Sequence, residues 1–364
     1  MGLPVYRGAD LVPKALECLQ RQTFDNFEAI ISVDGNDQET ADACRSFLTD
    51  PRFRMVVHRE RLDWVGNFNW LLQQDLKDFF CYRQHDDTTA PEFFEVLLRV
   101  ANKELNAAAI YSDCQMIGGR NDVEFFPSIK GETLDRMFQF VTRLPNLGPP
   151  VPIRGLMRRA AIRQAGLVRS DEFRAAWQVF GWLADLLRWG DFRRVPESLY
   201  YRLDHPRSYT RKHFFDGGAQ AAWTTLFTGV LAAAMRVCRT PEERLFFQQT
   251  VLDRMIAYPL FFRENNEGVF SEQLVGECLE RLRYEGNTHL LNVKEFPSIL
   301  HELQNRVDEI TSNDRSRLGR VISQSRQRYR FAQVAYRRSP IRRITYQLRH
   351  LVELLTKLAR RLFS

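Results

Sequence analysis

Two adjacent carboxylates, Asp86 and Asp87, follow the apolar, aromatic run DFFCY (78–82) in the segment YRQHDD. Side by side they repel one another, so a cation or water has to compensate them. Three readings fit the pair. It is a solvated loop, or a helix start in which Asp87 ahead of TTAPEFFEVLL meets the positive end of the helix, or a site for a hard cation. Mg2+ and Mn2+ take one or two carboxylates and complete their shell with phosphate oxygens. A further acid, Asp34, ends the apolar stretch IISV. His205, in YRLDHPRS, is a loop residue or an imidazole added to a metal site that has only two carboxylates. Arg211 and Lys212 are ordinary solvated bases or partners for phosphate.

The elements that must position these residues are legible in the apolar pattern. LPVY (3–6), FEAIISV (27–33), FRMVV (53–57), DFFCY (78–82) and AAAIYSD (107–113) have strand length, and helix-period segments lie between them, at 9–22, 39–48, 65–74 and 91–102. Such alternation predicts an α/β fold with helices on both faces of a parallel sheet. Ligands then sit at the carboxyl ends of the strands, which puts Asp34 and the Asp86-Asp87 pair on one rim. Residues 116–212 are irregular and end in the extended stretch FRRVPESLYYRLDH (192–205); from about Phe214 onwards the pattern is helical. The uncharged segment 217–235 contains three Gly, one Gln and three Thr, and reads as a buried helix rather than a membrane span.

Composition narrows the classes. A chain of 364 residues with 44% hydrophobic and 12% aromatic content has room for two cored domains. The six cysteines show no CxxC pair and no zinc-like spacing with histidine, so they read as reduced core thiols. The N-terminus MGLPVYRGADLVPK lacks the apolar core and cleavage site of a secretory signal, which predicts a cytoplasmic protein. The net charge of +7 is uneven: residues 315–364 hold fourteen basic residues against Glu353, a balance of +13, which leaves 38 basic and 44 acidic residues, or −6, in the first 314.

Five segments in order resemble glycosyltransferase family 2. They are LPVYRGADLVPKALECLQRQTFDNFEAIISVDG, RERLDWVGNFNWLL, HDDTTAPEFF with Pro91 four residues past Asp87, GLMRRAAIRQAG (155–166) and RRVPESLYYRLDHPRS (193–208). The resemblance implies a GT-A fold, a Rossmann-like mixed sheet, over 1–212. A helical domain over 213–312 and a basic tail over 313–364 would follow. It further implies inverting transfer of a sugar from a nucleotide-sugar to an acceptor. Pro4, Tyr6 and Asp34 would meet the nucleotide, and Asp86 and Asp87 would bind Mg2+ or Mn2+ bridging its diphosphate, with His205 and Arg211 close by.

Departures from the family pattern bear on catalysis. Gln84 stands where the family has the first acid of the aspartate-rich motif, and Asp63 where many members have Gly. The general base is expected eleven residues before Gly190, which falls on Val179. Asp171, Glu172 and Asp185 are the nearby acids that could deprotonate an acceptor hydroxyl instead.

In the tail, Ile341, Ile344, Leu348, Leu351, Leu355, Leu358 and Leu362 form an apolar stripe flanked by Arg and Lys. Residues 341–362 therefore suit an anionic membrane surface, at about 1 kcal/mol per basic residue, or a partner helix. Nucleic acid is not expected, because no aromatic interleaving or reading motif accompanies the charge. The sequence thus predicts a glycosyltransferase at the cytoplasmic membrane face, acting on a glycan or lipid-linked acceptor in surface-polysaccharide assembly. The alternative is a degenerate GT-A domain that serves as a nucleotide-binding or membrane scaffold.

Overall fold

The computed structural model describes residues 1–75, 77–143, 151–169, 178–205 and 219–240, with positions 243, 244, 247, 250 and 251. The chain forms two compact units. The first contains 1–130 and 148–218, and the second contains 131–147 and everything from 219.

In the first unit, β1 (Gly2–Val5), β2 (Ala29–Val33) and β3 (Phe53–Val57) pair in parallel, Val5 opposite Val33 and Val33 opposite Val57. β1 and β2 are buried throughout, as the continuous apolar runs require. α1 (Val12–Gln20), α2 (Gln38–Cys44) and α3 (Asp63–Leu72) connect or follow these strands. A bridge from Gly2 to Tyr82 places β4 (Phe79–Cys81) beside β1, and the Arg83 N–H donates to the Gly2 carbonyl at 2.9 Å.

The second sheet is mixed. Its order is β4, β8 (Leu156–Arg158), β6 (Ala107–Gly118), β9 (Asp191–Asp204) and β5 (Thr88–Thr89), with β7 (Val123–Glu124) on β6. β6 and β9 run parallel, whereas β4–β8, β8–β6 and β5–β9 are antiparallel. α4 (Phe93–Lys103) precedes β6, α6 (Arg159–Ala165) follows β8, and α7 (Gln178–Leu187) precedes β9.

The sheet is therefore mixed rather than wholly parallel. Antiparallel β5 and β8 have two and three residues, too short to leave a periodic trace. Register between β6 and β9 jumps from Ser112 opposite Val195 to Asp113 opposite Ser198. The bulge skips Pro196, which has no N–H to give to the ladder.

The second unit holds α5 (Thr133–Val141) and α8 (Ala219–Val237), which pack together. Buried Met137, Phe138, Phe140 and Val141 on α5 and Leu226 to Met235 on α8, apart from Gly229, supply apolar surface. The uncharged segment is thus a helix, and among the described residues no helix is long and apolar enough to cross a membrane. The basic tail and most of the predicted helical domain lie outside the described residues, as do Asp171, Glu172, Arg211 and Lys212.

Candidate active site

Side chains with chemistry gather in two places within the first unit. The first is a cleft of about 530 Å3 lined by Tyr6, Arg7, Ala9, Asp10, Gly35, Asp37 and Glu39. Its walls are the turns after β1 and β2. Arg7, Asn36 and Asp63 all have left-handed backbone, at φ 49°, 55° and 61°, as does Gly35 at 72°. Non-glycine residues rarely hold that conformation, and they collect at functional turns. Asp37 locks the floor. It caps α2, taking hydrogen bonds from the Thr40 hydroxyl at 2.6 Å and the Arg7 N–H at 2.6 Å. Burial pushes its carboxyl up, but these bonds outweigh burial and hold it below the usual range.

Asp34 ends β2 beside this cleft and is 3% exposed. It accepts the Leu62 N–H at 2.6 Å, and Arg61 Nε lies 3.9 Å from it. Burial raises its pKa against the lowering pull of those partners. Arg61 also stacks on Tyr6, with its guanidinium 3.5 Å from the ring centroid. An aromatic face and a buried acid, side by side, are what a planar heterocycle with N–H donors requires. Pro4 lies in β1 opposite Ser32, one layer behind the lining residues.

The second place is the acidic rim, reached across Gly8, where a side chain would meet the His85 ring at 2.6 Å. Asp86 and Asp87 have different surroundings. Asp87 turns inward and is 1% exposed. It accepts the Tyr200 hydroxyl at 2.8 Å and the Leu203 N–H at 3.0 Å, and Arg154 Nε stands 3.7 Å from it. Burial, then the charge of Asp86, pushes it up to about 6 against those partners. Asp86 faces outward and meets His205 Nε2 at 3.0 Å.

The helix-start reading of Asp87 does not hold, because α4 begins at Phe93 and β5 intervenes. Much of the pair's compensation is internal, from Arg154, Tyr200 and the β9 backbone. Among the described residues, no three His, Cys, Asp or Glu side chains converge as a self-sufficient metal site. Asp86 and His205 do converge, an oxygen and a nitrogen donor that suit Mn2+ or Mg2+ if phosphate oxygens complete the shell.

Asp185, one of the candidate bases, lies in the last turn of α7. It is raised by burial and paired with Arg188 at 3.0 Å. At the start of the same helix Gln178 is 7% exposed, and its amide N and O have no hydrogen-bond partner. Val179, where the family pattern expects an acid, is buried among apolar residues.

Three residues of the rim went unnoticed in the sequence: Arg83, Arg154 and Tyr200. Arg83 is wholly buried, donates to the Thr89 hydroxyl at 2.6 Å and sits 5.0 Å from the Tyr200 ring centroid. The one available signal was an arginine inside an apolar strand end.

Residues 2–166 match the family model described as Glycosyl transferase family 2. EpsH of Bacillus subtilis (strain 168), named as a glycosyltransferase, is 30% identical over 115 residues, 30% of this chain and 33% of that protein. An uncharacterized glycosyltransferase of Rickettsia felis is 26% identical over 118 residues, 32% of this chain and 19% of that protein. The aligned stretch thus spans a third or less of each of these relatives.

Among solved structures, S. aureus TarS 1–349 in complex with UDP-GlcNAc superposes with a TM-score of 0.63 at 12% identity, over 84% of this chain and 86% of that one. TarS 1–349 solved alone gives 0.59 over the same shares at 12% identity. That likeness is one of fold. Residues 2–166 are thus similar to glycosyl transferase family 2, and the chain has the GT-A fold.

Proposed function

We propose that the protein is an inverting glycosyltransferase that moves a sugar from a nucleotide-sugar to a glycan or lipid-linked acceptor in surface-polysaccharide assembly. The observation that carries this reading is the adjacency of the two places: Gly8, beside the Tyr6 cleft, abuts His85, which lies close to Asp10 of the cleft and to the paired Asp86 and His205. A nucleoside diphosphate has the same two ends, a flat base with N–H donors and a doubly charged phosphate. Tyr6 offers the base its ring and Asp34 accepts from it.

Asp86 and His205 would hold Mg2+ or Mn2+ beside the diphosphate. When bound, the ion supplies Lewis-acid stabilisation of the departing nucleoside diphosphate. Asp87 keeps the rim in place by gripping β9 through Tyr200 and Leu203. The acceptor hydroxyl needs a base, and Asp171 or Glu172 is the better assignment, because Asp185 is already committed to Arg188. Arg211 adds charge near the phosphates, and residues 341–362 bring the enzyme to an anionic bilayer on the cytoplasmic face.

Isothermal titration of UDP and GDP, with and without Mn2+, tests the donor site. Manganese-dependent binding is expected in the native chain and is lost in Asp86→Ala; binding indifferent to both would sink the reading. The absence of an acid at Val179 favours a second reading, a degenerate domain that binds donor without transferring it. Sugar transfer to an added glycan acceptor, absent under that reading, separates the two.

A further inference from the structure

The proposed metal site is asymmetric in charge. Beneath Asp86 lie two buried guanidinium groups and one buried carboxylate. Arg154 is 4% exposed and Arg83 is fully buried, while Asp87 stands 3.7 Å from Arg154 Nε; Glu124, another acid near Arg154, is paired with Arg120 and Arg202. Arg154 Nη2 donates to Gln84 Oε1 at 2.9 Å, and its Nε and Nη1 have no hydrogen-bond partner. Gln84 is neutral, so it orients that guanidinium without cancelling its charge. Arg83 likewise spends its described hydrogen bond on a neutral group, the Thr89 hydroxyl at 2.6 Å, and its Nε and Nη1 are unpartnered. The two guanidinium carbons lie 5.0 and 5.9 Å from the Tyr200 ring centroid, and the Tyr200 hydroxyl points to Asp87.

We propose that Arg154 is a built-in counter-cation that offsets the charge of Asp87, so that a divalent ion is held at the rim only together with a nucleoside diphosphate. Both Asp87 oxygens are already engaged, one by Tyr200 and one by the Leu203 N–H. A divalent ion arriving alone finds Asp86 and His205, above a pair of fixed cations that repel it in a poorly solvated setting. A nucleoside diphosphate reverses the local sign, and its oxygens fill the coordination positions that the protein leaves open. Metal and nucleotide therefore bind with positive coupling, and each raises the affinity of the other by the same factor. Arg154 is a positioning residue in this scheme. It sets the order of assembly and does not touch the reacting atoms.

The inference rests on the donor-site reading above, but the measurement separates the two. Mn2+ binding is followed by electron paramagnetic resonance of the free ion, on the full chain without nucleotide. The native protein is expected to show no saturable binding below millimolar Mn2+, and Arg154→Met to bind about tenfold tighter. Arg154→Lys, which keeps the charge, should behave like the native chain. Adding Asp87→Asn to Arg154→Met should abolish the gain, because the carboxylate charge that Arg154 no longer offsets is its source. Native chain and Arg154→Met binding Mn2+ with equal affinity would overturn the proposal.

If Arg154→Met does not fold, the native chain alone still decides. Mn2+ affinity measured with saturating UDP should exceed that without it by about tenfold or more, and equal affinities reject the inference. A protein that binds no UDP or GDP under any condition refutes the donor reading instead.

Discussion

His58 sits behind the donor cleft, 2.8 Å by its Nε2 from the Ser32 hydroxyl, which itself donates to Asn67 Oδ1 at 2.6 Å. With its proton committed to Asn67, the serine can only accept from His58, so the Nε2–H form satisfies the network. Burial lowers the His58 pKa below its ordinary 6.5, with Asp34 as the opposing charge. The unfolded chain therefore takes up a proton before the folded one. Stability is unaffected above pH 6.5 and falls as pH drops from there to the folded pKa. Urea midpoints at pH 7.5 and 5.5 should fall more for the native chain than for His58→Gln, and parallel losses would show that the imidazole is irrelevant.

On the rim side of this scale, Arg61→Ala removes the guanidinium stacked on Tyr6. Nucleotide affinity should fall by about two- to fivefold, in keeping with a partly exposed cation–π contact of about 0.5–1 kcal/mol. Unchanged UDP affinity would place the base elsewhere. Asp34, Asp86 and His205 were legible in the sequence because polar residues at the ends of apolar strands have few reasons to be there. Tyr200 and Arg154 were not: they are ordinary residue types that reach Asp87 from 113 and 67 positions away along the chain.

Among elements, the turn that carries Arg154 depends on its neighbour Gly155. A Cβ there would fall 2.0 Å from the Ile110 carbonyl oxygen and 2.7 Å from Tyr111 Cβ. Backbone cannot yield as a side-chain tip can, so Gly155→Ala should cost about 3 kcal/mol by urea denaturation. A loss under about 1 kcal/mol would mean that β6 and the turn are not so tightly apposed. Gly190 plays the same part at the start of β9, where a Cβ would meet the Asn106 carbonyl at 2.4 Å. The first three parallel strands and their helices could be read from the sequence because each is a long apolar run with polar flanks. The antiparallel members could not, since β5 and β8 owe their strand conformation to longer strands beside them.

At the scale of the molecule, the unit boundary does not coincide with the division at residue 212 expected from the sequence. Residues 131–147 leave the first unit in mid-chain and group with residues from 219 onwards. Within that second unit α5 buries Met137, Phe138, Phe140 and Val141. A chain ended at 218 should retain the donor cleft but expose those side chains. Binding of an apolar dye and self-association on size-exclusion chromatography would report it, and a monodisperse, dye-silent fragment would show that α5 needs no partner. The break was illegible because α5 has the same amphipathic pattern as helices that pack on the sheet.

The pairing of β6 with β9 joins residues 107–118 to 191–204, and it sets a schedule for the newborn chain. The parallel sheet under the Tyr6 cleft is complete once about residue 72 has been made, whereas Asp86 meets His205 only after the latter leaves the ribosome. At roughly 5–20 residues per second, that delay is on the order of ten seconds. During it, the half-made protein has the Tyr6 cleft without the Asp86–His205 pair, so a ligand that needs both places finds a complete site only in the finished chain.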